Sequence, residues 1–315
     1  MKRIITPLLL CLSLVSCART PEYEEFFYAF GQAPIHIKTF EGTIENIQEL
    51  QGILNTFSKE TDNYINSDVP GVYTINNTND VVSVSDNLYK CLKKADELTS
   101  QLDSYFSIYL GTLSKIWKTA LSNGVTPSQE TIFFELTNSQ ETSLQFAENT
   151  VQRIGSSEID LGAFAKGYAL NLAKEYFKVK QINQYIVDAG SSSIAVGQKN
   201  TEDGLFTIKI KDLTATYLRV KNTCISTSSI SEQNTTINGK LYTHIINPET
   251  GEATVVNDTV LVLSDDGAIG DALSTSMMLM SVPEIASIEK EFNVKALVIR
   301  DHKIEYKNKD ITLYQ

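Results

Sequence analysis

An α+β fold follows from three features of the chain. Strand-type runs and helix-type stripes are mixed without the regular strand–helix–strand repeat of a parallel sheet. Asn238-Gly239 stands between two β-rich runs, Gln233 to Ile237 and Leu241 to Ile246, and so marks a type I′ hairpin and an antiparallel pair. The composition, 42% hydrophobic and 21% charged over 315 residues, is that of a globular protein and excludes collagen-like, coiled-coil and wholly disordered chains. Length permits one large domain or two closely packed lobes. A formal net charge of -11 disfavours non-specific attraction to nucleic acid or anionic lipid, so a phosphate ligand needs local cations or a metal.

The first segment stands apart from the fold. Lys2 and Arg3 precede an apolar run from Ile4 to Val15 that stops at Ser16-Cys17, the pattern of a signal peptide. The run is shorter than the roughly 20 apolar residues a membrane-spanning helix needs. Leu14-Val15-Ser16-Cys17 resembles the bacterial lipobox, in which the cysteine is lipidated and becomes the mature N-terminus. Cys17 is therefore the expected lipid anchor, which places the protein on the extracytoplasmic side of a bacterial membrane; a plain secretory signal with an incidental cysteine is the alternative. The expected boundaries are a signal peptide over 1–16, a lipidated tether over 17–25 and a folded domain over 26–315. Cys91 and Cys224 remain, and Cys91 shares a helical stripe with Leu88, Leu92, Ala95 and Leu98, as a buried small hydrophobe would. No CxxC pair or His/Cys cluster suggests zinc.

Along the domain, Phe26 to Phe40 reads as a strand interrupted at Gly31. Ile44, Ile47, Leu50, Ile53, Leu54 and Phe57 then keep one helical stripe. Asn76 to Asp80 is a polar loop, and Ser85 is the N-cap of the helix that carries Cys91. From about Ser122 to Thr150 no periodicity is sustained, which predicts loops with short elements. A helix follows from about Ala165 to Lys178, with strands at Gln184 to Asp188, Phe206 to Lys211 and Thr216 to Val220. Beyond the hairpin, strand Thr259 to Leu263 leads through Asp265-Asp266-Gly267 into a helix beginning near Ala268. Val294 to Arg300 and Lys303 to Tyr306 form a last strand pair around Asp301-His302.

Three stretches carry chemistry. Asp160-Leu161-Gly162-Ala163-Phe164-Ala165-Lys166-Gly167-Tyr168-Ala169 lies at a strand-to-helix junction, where its small residues admit a ligand or another backbone. Lys166, in the first helical turn, can face a pyrophosphate beside the free amides; Asp160 as an N-cap and Lys166 as a solvated charge is the plainer alternative. In Gly270-Asp271-Ala272-Leu273-Ser274-Thr275 the carboxylate and the hydroxyl four residues on share a helix face, and two hard oxygens suit Mg²⁺. Taken in isolation, an Asp near a helix start such as Asp271 is more often a dipole-favoured charge. The run Met277 to Met280 reads as core filling. In Thr243-His244-Ile245-Ile246-Asn247-Pro248-Glu249-Thr250-Gly251 a strand ends in an Asn-Pro turn, and His244 is structural or catalytic. The hydroxyl-rich segments Asp188 to Ser193 and Thr227 to Ser229 are tight turns or donors to phosphate or ribose.

Taken together, these stretches resemble the ApbE-type FAD:protein FMN transferase family over roughly residues 26 to 310. The D-x-G-A-x-x-K-G-x-A signature stands complete at Asp160, Gly162, Ala163, Lys166, Gly167 and Ala169, and D-A-x-S-T at Asp271, Ala272, Ser274 and Thr275. H-I-I-D-P-x-T-G appears with Asn247 for the aspartate. Phe30-Gly31-Gln32 is similar to the family's Met-Gly-Thr strand end, and Tyr105-Phe106-Ser107 followed by Trp117 to its Ala-Phe-Asp segment. Phe30, Ser107, Asn171 and Ser229 depart from the usual Met, Asp, Asp and Gly.

The resemblance implies two closely packed lobes with FAD between them, and transfer of FMN from FAD to a threonine of an exported acceptor protein, releasing AMP. It implies Mg²⁺ held by Asp271, Thr275 and the Ala163 carbonyl, with Lys166 at the phosphates and Asp160 holding FAD or orienting Lys166. His244 is the expected base for the acceptor hydroxyl, since an unperturbed imidazole titrates near pH ~6.5. Phe30, Tyr105, Phe106, Ser107 and Ile245 are expected at the cofactor. The implied partner is a subunit of a membrane redox complex. Hydrolysis of FAD to FMN and AMP, and a flavin-binding lipoprotein without turnover, are the rival readings.

Overall fold

The computed structural model describes residues 22–231 and 234–315. The expected signal peptide, Cys17 and the hairpin's Gln233 lie outside them. The α+β expectation holds: eight strands, each beside its predecessor in the chain, build one antiparallel sheet. They are β1 (Tyr23–Ala29), β2 (Ala33–Thr39), β3 (Tyr185–Ala189), β4 (Ser193–Val196), β5 (Thr223–Ser229), β6 (Thr259–Ser264), β7 (Lys295–Arg300) and β8 (Lys303–Lys307). β1 begins before the expected domain start at Phe26. The interruption at Gly31 is a hairpin turn in which Phe30, Gly31 and Gln32 all take left-handed backbone (φ 49, 72 and 74). The Phe30 amide anchors that turn by donating to Ser58 Oγ at 2.6 Å.

Most of the helices lie in the segment between β2 and β3. These are α1 (Ile44–Thr61), α2 (Val72–Asn76), α3 (Asp86–Leu102), α4 (Gly111–Ser122), α5 (Gln129–Gln140) and α6 (Ala165–Val179); α7 (Gly267–Ser276) and α8 (Val282–Phe292) follow β6. Ser85 caps α3 as expected, its hydroxyl accepting from the Leu88 amide at 3.1 Å. The α3 stripe of Leu88, Cys91, Leu92, Ala95 and Leu98 is buried, as are Met277, Met278 and Met280. Alternation along the strands gives the sheet two apolar faces. Ile35, Ile37, Val187, Ala195, Val260 and Val262 join the core under the helices. Val196, Ile225, Leu261, Leu297 and Ile299 instead meet a small sheet of Phe206–Lys209, Tyr217–Val220 and Leu313–Tyr314.

Two regions correct the sequence reading. Residues 122–150 hold α5 and the start of a hairpin, Ser143–Ala147 with Thr150–Ile154, rather than loops. The helical period of α5 is blurred because Phe133 and Phe134 are exposed (72% and 61%) while Ile132 and Leu136 are buried in a third core with Leu113 and Trp117. Thr227 to Ser229 is no turn but the end of β5. Its hydroxyl-rich sequence survives in the middle of the sheet because β4 and β6 satisfy its backbone and neighbouring side chains take its hydroxyls.

Candidate active site

The site grows from the meeting of two helix N-termini. Before α6, Asp160 donates its amide to the Ile108 carbonyl at 2.8 Å and receives the Gly162 amide on Oδ1 at 2.7 Å. Phe164, fully buried, packs against Phe106 and Tyr168 and fixes the entry of the helix. At the start of α7, Asp266 is the N-cap: its carboxylate accepts from the Ile269 amide at 3.1 Å, from Asn171 Nδ2 at 2.8 Å and from the Lys94 ammonium. Burial pushes this carboxyl upward, and the bonds from Lys94, Asn171 and the Ile269 amide, with the Lys94 charge, together outweigh it, so the net shift is below the ordinary value. Asn171 also accepts from the Gly267 amide at 2.8 Å and so joins the two helices through both ends of its amide, a task an aspartate could not perform.

Gly167 and Gly267 explain how close the helices come. A Cβ on Gly167 would lie 2.1 Å from the Gly267 carbonyl oxygen, and one on Gly267 would lie 2.5 Å from the Gly167 oxygen. Of the two purposes open to the small residues of this stretch, Gly167 serves the approach of another backbone. The contact lets the Gly167 amide donate to Asp271 Oδ2 at 2.6 Å. Asp271 Oδ1 accepts from Ser226 Oγ at 2.6 Å and Ser193 Oγ at 2.8 Å. Burial raises the Asp271 pKa, and the charge of Lys166 with these three donors opposes the rise.

Asp160, Ala163, Lys166, Ser107, His244, Ile245, Asp271 and Thr275, drawn from four sequence-distant stretches, all line one cavity of about 550 Å³. The Lys166 ammonium donates to Ser192, and no ion pair joins it to Asp160 among the described residues. His244 is exposed at the cavity, next to buried Thr243, whose hydroxyl accepts from the Ile245 amide at 3.1 Å. Asn247 holds its turn by accepting from the Glu249 and Thr250 amides at 2.8 and 3.1 Å. Those bonds need only an acceptor oxygen, so asparagine replaces aspartate there without loss. Trp117 Nε1 donates to the Gly251 carbonyl at 2.8 Å and ties α4 to the same turn.

Three expected cofactor contacts do not line this cavity. Phe106 is buried against Phe164, Tyr105 donates its hydroxyl to Glu284 at 2.6 Å, and Phe30 packs on Phe57 at 6.2 Å between ring centres. Ser229 lies off the cavity as well, its hydroxyl bonded with Thr259 at 2.8 Å. Sequence reasoning missed Ser226, Tyr64 and Lys118. Ser226, one of several hydroxyl residues in the run Thr223 to Ser229, carried no signal that set it apart. Tyr64 and Lys118, which line the cavity with the Lys118 ammonium 4.6 Å from the Tyr64 ring centre, carried none.

The donor set suits a small hard cation. Ala163, Asp271 and Thr275, which carry a backbone carbonyl, a carboxylate and a hydroxyl, all line the cavity. Three donor groups already reach the Asp271 carboxylate, with Ser193 Oγ within hydrogen-bond distance of both its oxygens. No group of three or more His, Cys, Asp or Glu capable of holding a metal occurs among the described residues, so a cation here would draw on one carboxylate with substrate oxygens and water, as Mg²⁺ commonly does. Nor is any helix of the described residues long and apolar enough to cross a membrane.

Comparison with known proteins agrees with this architecture. The chain is 27% identical over 244 residues to the FAD:protein FMN transferase of Klebsiella pneumoniae, a match spanning 74% of this chain and 73% of that protein. It is 23% identical over 301 residues to the enzyme of the same name from Rhodobacter capsulatus, covering 90% of this chain and 56% of that one. Among solved structures, the ApbE protein of Thermotoga maritima superposes with a TM-score of 0.78 at 22% identity, covering 91% of this chain and 97% of that chain. The flavin transferase ApbE of Vibrio cholerae gives 0.73 at 19%, covering 92% and 97%. The ApbE family model matches residues 32–298, and the chain belongs to the ApbE family.

Proposed function

We propose that the protein is an FAD:protein FMN transferase that uses Mg²⁺ to move FMN from FAD to a threonine of an exported acceptor, releasing AMP. The observation that carries this reading is the convergence of Lys166, His244, Asp271 and Thr275 on one cavity. In the reaction, the threonine oxygen forms a bond to the FMN phosphorus as the bond from that phosphorus to the AMP oxygen breaks. His244 accepts the hydroxyl proton at a ring nitrogen. Lys166 offsets charge on the phosphate oxygens, and Asp160 lines the same cavity. Ala163, Asp271 and Thr275 would hold Mg²⁺, which when bound draws charge from the pyrophosphate oxygens. Lipidation at Cys17 would tether the enzyme outside the inner membrane, where exported domains of membrane redox complexes are within reach.

The test incubates the protein with FAD, Mg²⁺ and a recombinant exported domain carrying a flavinylation-motif threonine. Mass gain of the domain by one FMN, with equimolar AMP, is the expected result. Free FMN with an unmodified domain would identify a hydrolase, and FAD retained intact would identify a binding protein.

A further inference from the structure

We propose that Ser192 is a positioning residue for the phosphate end of the cavity: it aims the Lys166 ammonium and presents its own hydroxyl proton to a phosphoryl oxygen of the bound dinucleotide. The inference rests on reading the cavity as the FAD site. Ser192 lies in the turn between β3 and β4, which is locked from several sides. Gly190 and Ser191 are left-handed (φ 73 and 61), the Gly190 amide donates to the Pro34 carbonyl at 2.8 Å, and the Ser191 amide donates to Asp188 Oδ1 at 2.6 Å. The Thr227 amide donates to the Ser192 carbonyl at 2.7 Å. The hydroxyl is thus held at a fixed place, and Ser192 is only 6% exposed.

The direction of the Lys166–Ser192 bond is set by chemistry. An ammonium only donates, so the serine oxygen is the acceptor and its proton points elsewhere. Among the described residues nothing in the protein receives that proton, although Ser192 and Lys166 both line the cavity. A hydroxyl that accepts from a cation is a stronger donor in turn. The pair therefore offers an anion two adjacent donors, one of them cationic, a combination suited to the negative charge of a phosphate. The seat also restrains a long flexible side chain before the ligand arrives, which lowers the ordering cost of binding. Asp188 and Asp271 both feel the Lys166 charge, and among the described residues neither forms an ion pair with it.

The experiment measures calorimetric affinity of the full protein for FAD, inorganic pyrophosphate and riboflavin in the wild type, Ser192→Ala, Ser192→Thr, Lys166→Ala and the Ser192→Ala/Lys166→Ala double variant. Ser192→Ala should weaken FAD and pyrophosphate about tenfold, the scale of a hydrogen bond to a charged group, and leave riboflavin unchanged. Ser192→Thr should restore affinity to within about twofold of wild type, and the double variant should fall at least threefold short of the product of the single effects. An unchanged melting temperature in Ser192→Ala separates positioning from folding. Wild-type affinity in Ser192→Ala, equal weakening of riboflavin, or multiplicative effects in the double variant would overturn the assignment. Tight FAD binding without transfer to an acceptor would instead remove the proposed function and leave the anion seat in place.

Discussion

The α6–α7 junction and the remaining wall of the cavity, formed by α4, Tyr64 and the hairpin of Asn234–Ile237 with Lys240–Thr243, are built on opposite principles. At the junction the groups are buried, small and locked to backbone. Gly167 touches Gly267, and Asp271 is held by one amide and two hydroxyls. On the other wall His244 and Lys118 are exposed, and Tyr64, at 48% exposure, is flanked by the Lys115 and Lys118 ammonium groups at 5.0 and 4.6 Å. The junction has the rigidity that pre-organised charge stabilisation requires. The other wall has room to adjust to a large ligand or an approaching polypeptide. Substitutions at the junction should therefore affect chemistry and fold together, and substitutions on the other wall, the proposed base His244 apart, should affect recognition alone.

The largest effect is expected at Asp271. Asp271→Ala removes the one carboxylate of the proposed cation site and leaves the Gly167 amide and two serine hydroxyls without their acceptor. Acceptor flavinylation and AMP release should fall at least ~100-fold, with stability lower by about 1–3 kcal/mol. FAD binding should persist in part, because Lys166 remains; Thr275→Ala should cost only about tenfold in rate, since water can replace one neutral oxygen. Rates titrated against Mg²⁺ decide the point, and wild-type turnover in Asp271→Ala at limiting Mg²⁺ would place the metal elsewhere.

Next in size is Gly167→Ala, which drives a methyl group into the Gly267 carbonyl. A loss of about 2–3 kcal/mol is expected in urea unfolding. Gly162→Ala, whose new Cβ would meet only the Asp160 carboxylate at 3.0 Å, should cost less than about 1 kcal/mol. Equal losses would mean that the helix contact is not what holds the junction.

The Lys94–Asp266 pair between α3 and the α7 N-cap should contribute about 1–2 kcal/mol, and its pH dependence has a definite sign. The Asp266 carboxyl is held below its ordinary value of 3.8 in the folded protein. The ionised form is favoured by folding, so the stabilisation is complete above that value and disappears as pH falls through the folded pKa. Denaturation midpoints of wild type and Lys94→Ala should differ by a constant amount from pH 5 to 8 and begin to converge only below about pH 4.

The smallest effect is expected on the other wall. Lys118→Ala should leave melting temperature and FAD hydrolysis or binding near wild type and raise the KM for the acceptor about two- to fivefold, the scale of an exposed charge contact. A collapse of turnover in this variant would show that the two walls are not divided as described.

The same division explains what could be read from the amino acids. Asp160 to Ala169 and Gly270 to Thr275 announce the junction because a helix start, a spacing of four residues and a run of small side chains are local properties. The Asn238-Gly239 hairpin and the Ser85 cap were legible for the same reason. Ser192 and Ser226 became site residues only when β3, β4 and β5 paired and brought them to Lys166 and Asp271 across long stretches of chain. Helix α5 escaped because its stripe is broken by two exposed phenylalanines.

By itself, then, the sequence determined the α+β class, the individual caps and turns, and the chemical character of the groups offered to phosphate and cation. Each depends on residues within a turn or two of one another. Tertiary structure alone decided that four separate stretches share one cavity, that Gly167 is small for Gly267 and not for a ligand, and that Lys166 rests on Ser192 and not on Asp160. Those outcomes depend on which surfaces the buried cores bring together, a property of the whole chain's packing that no local pattern encodes.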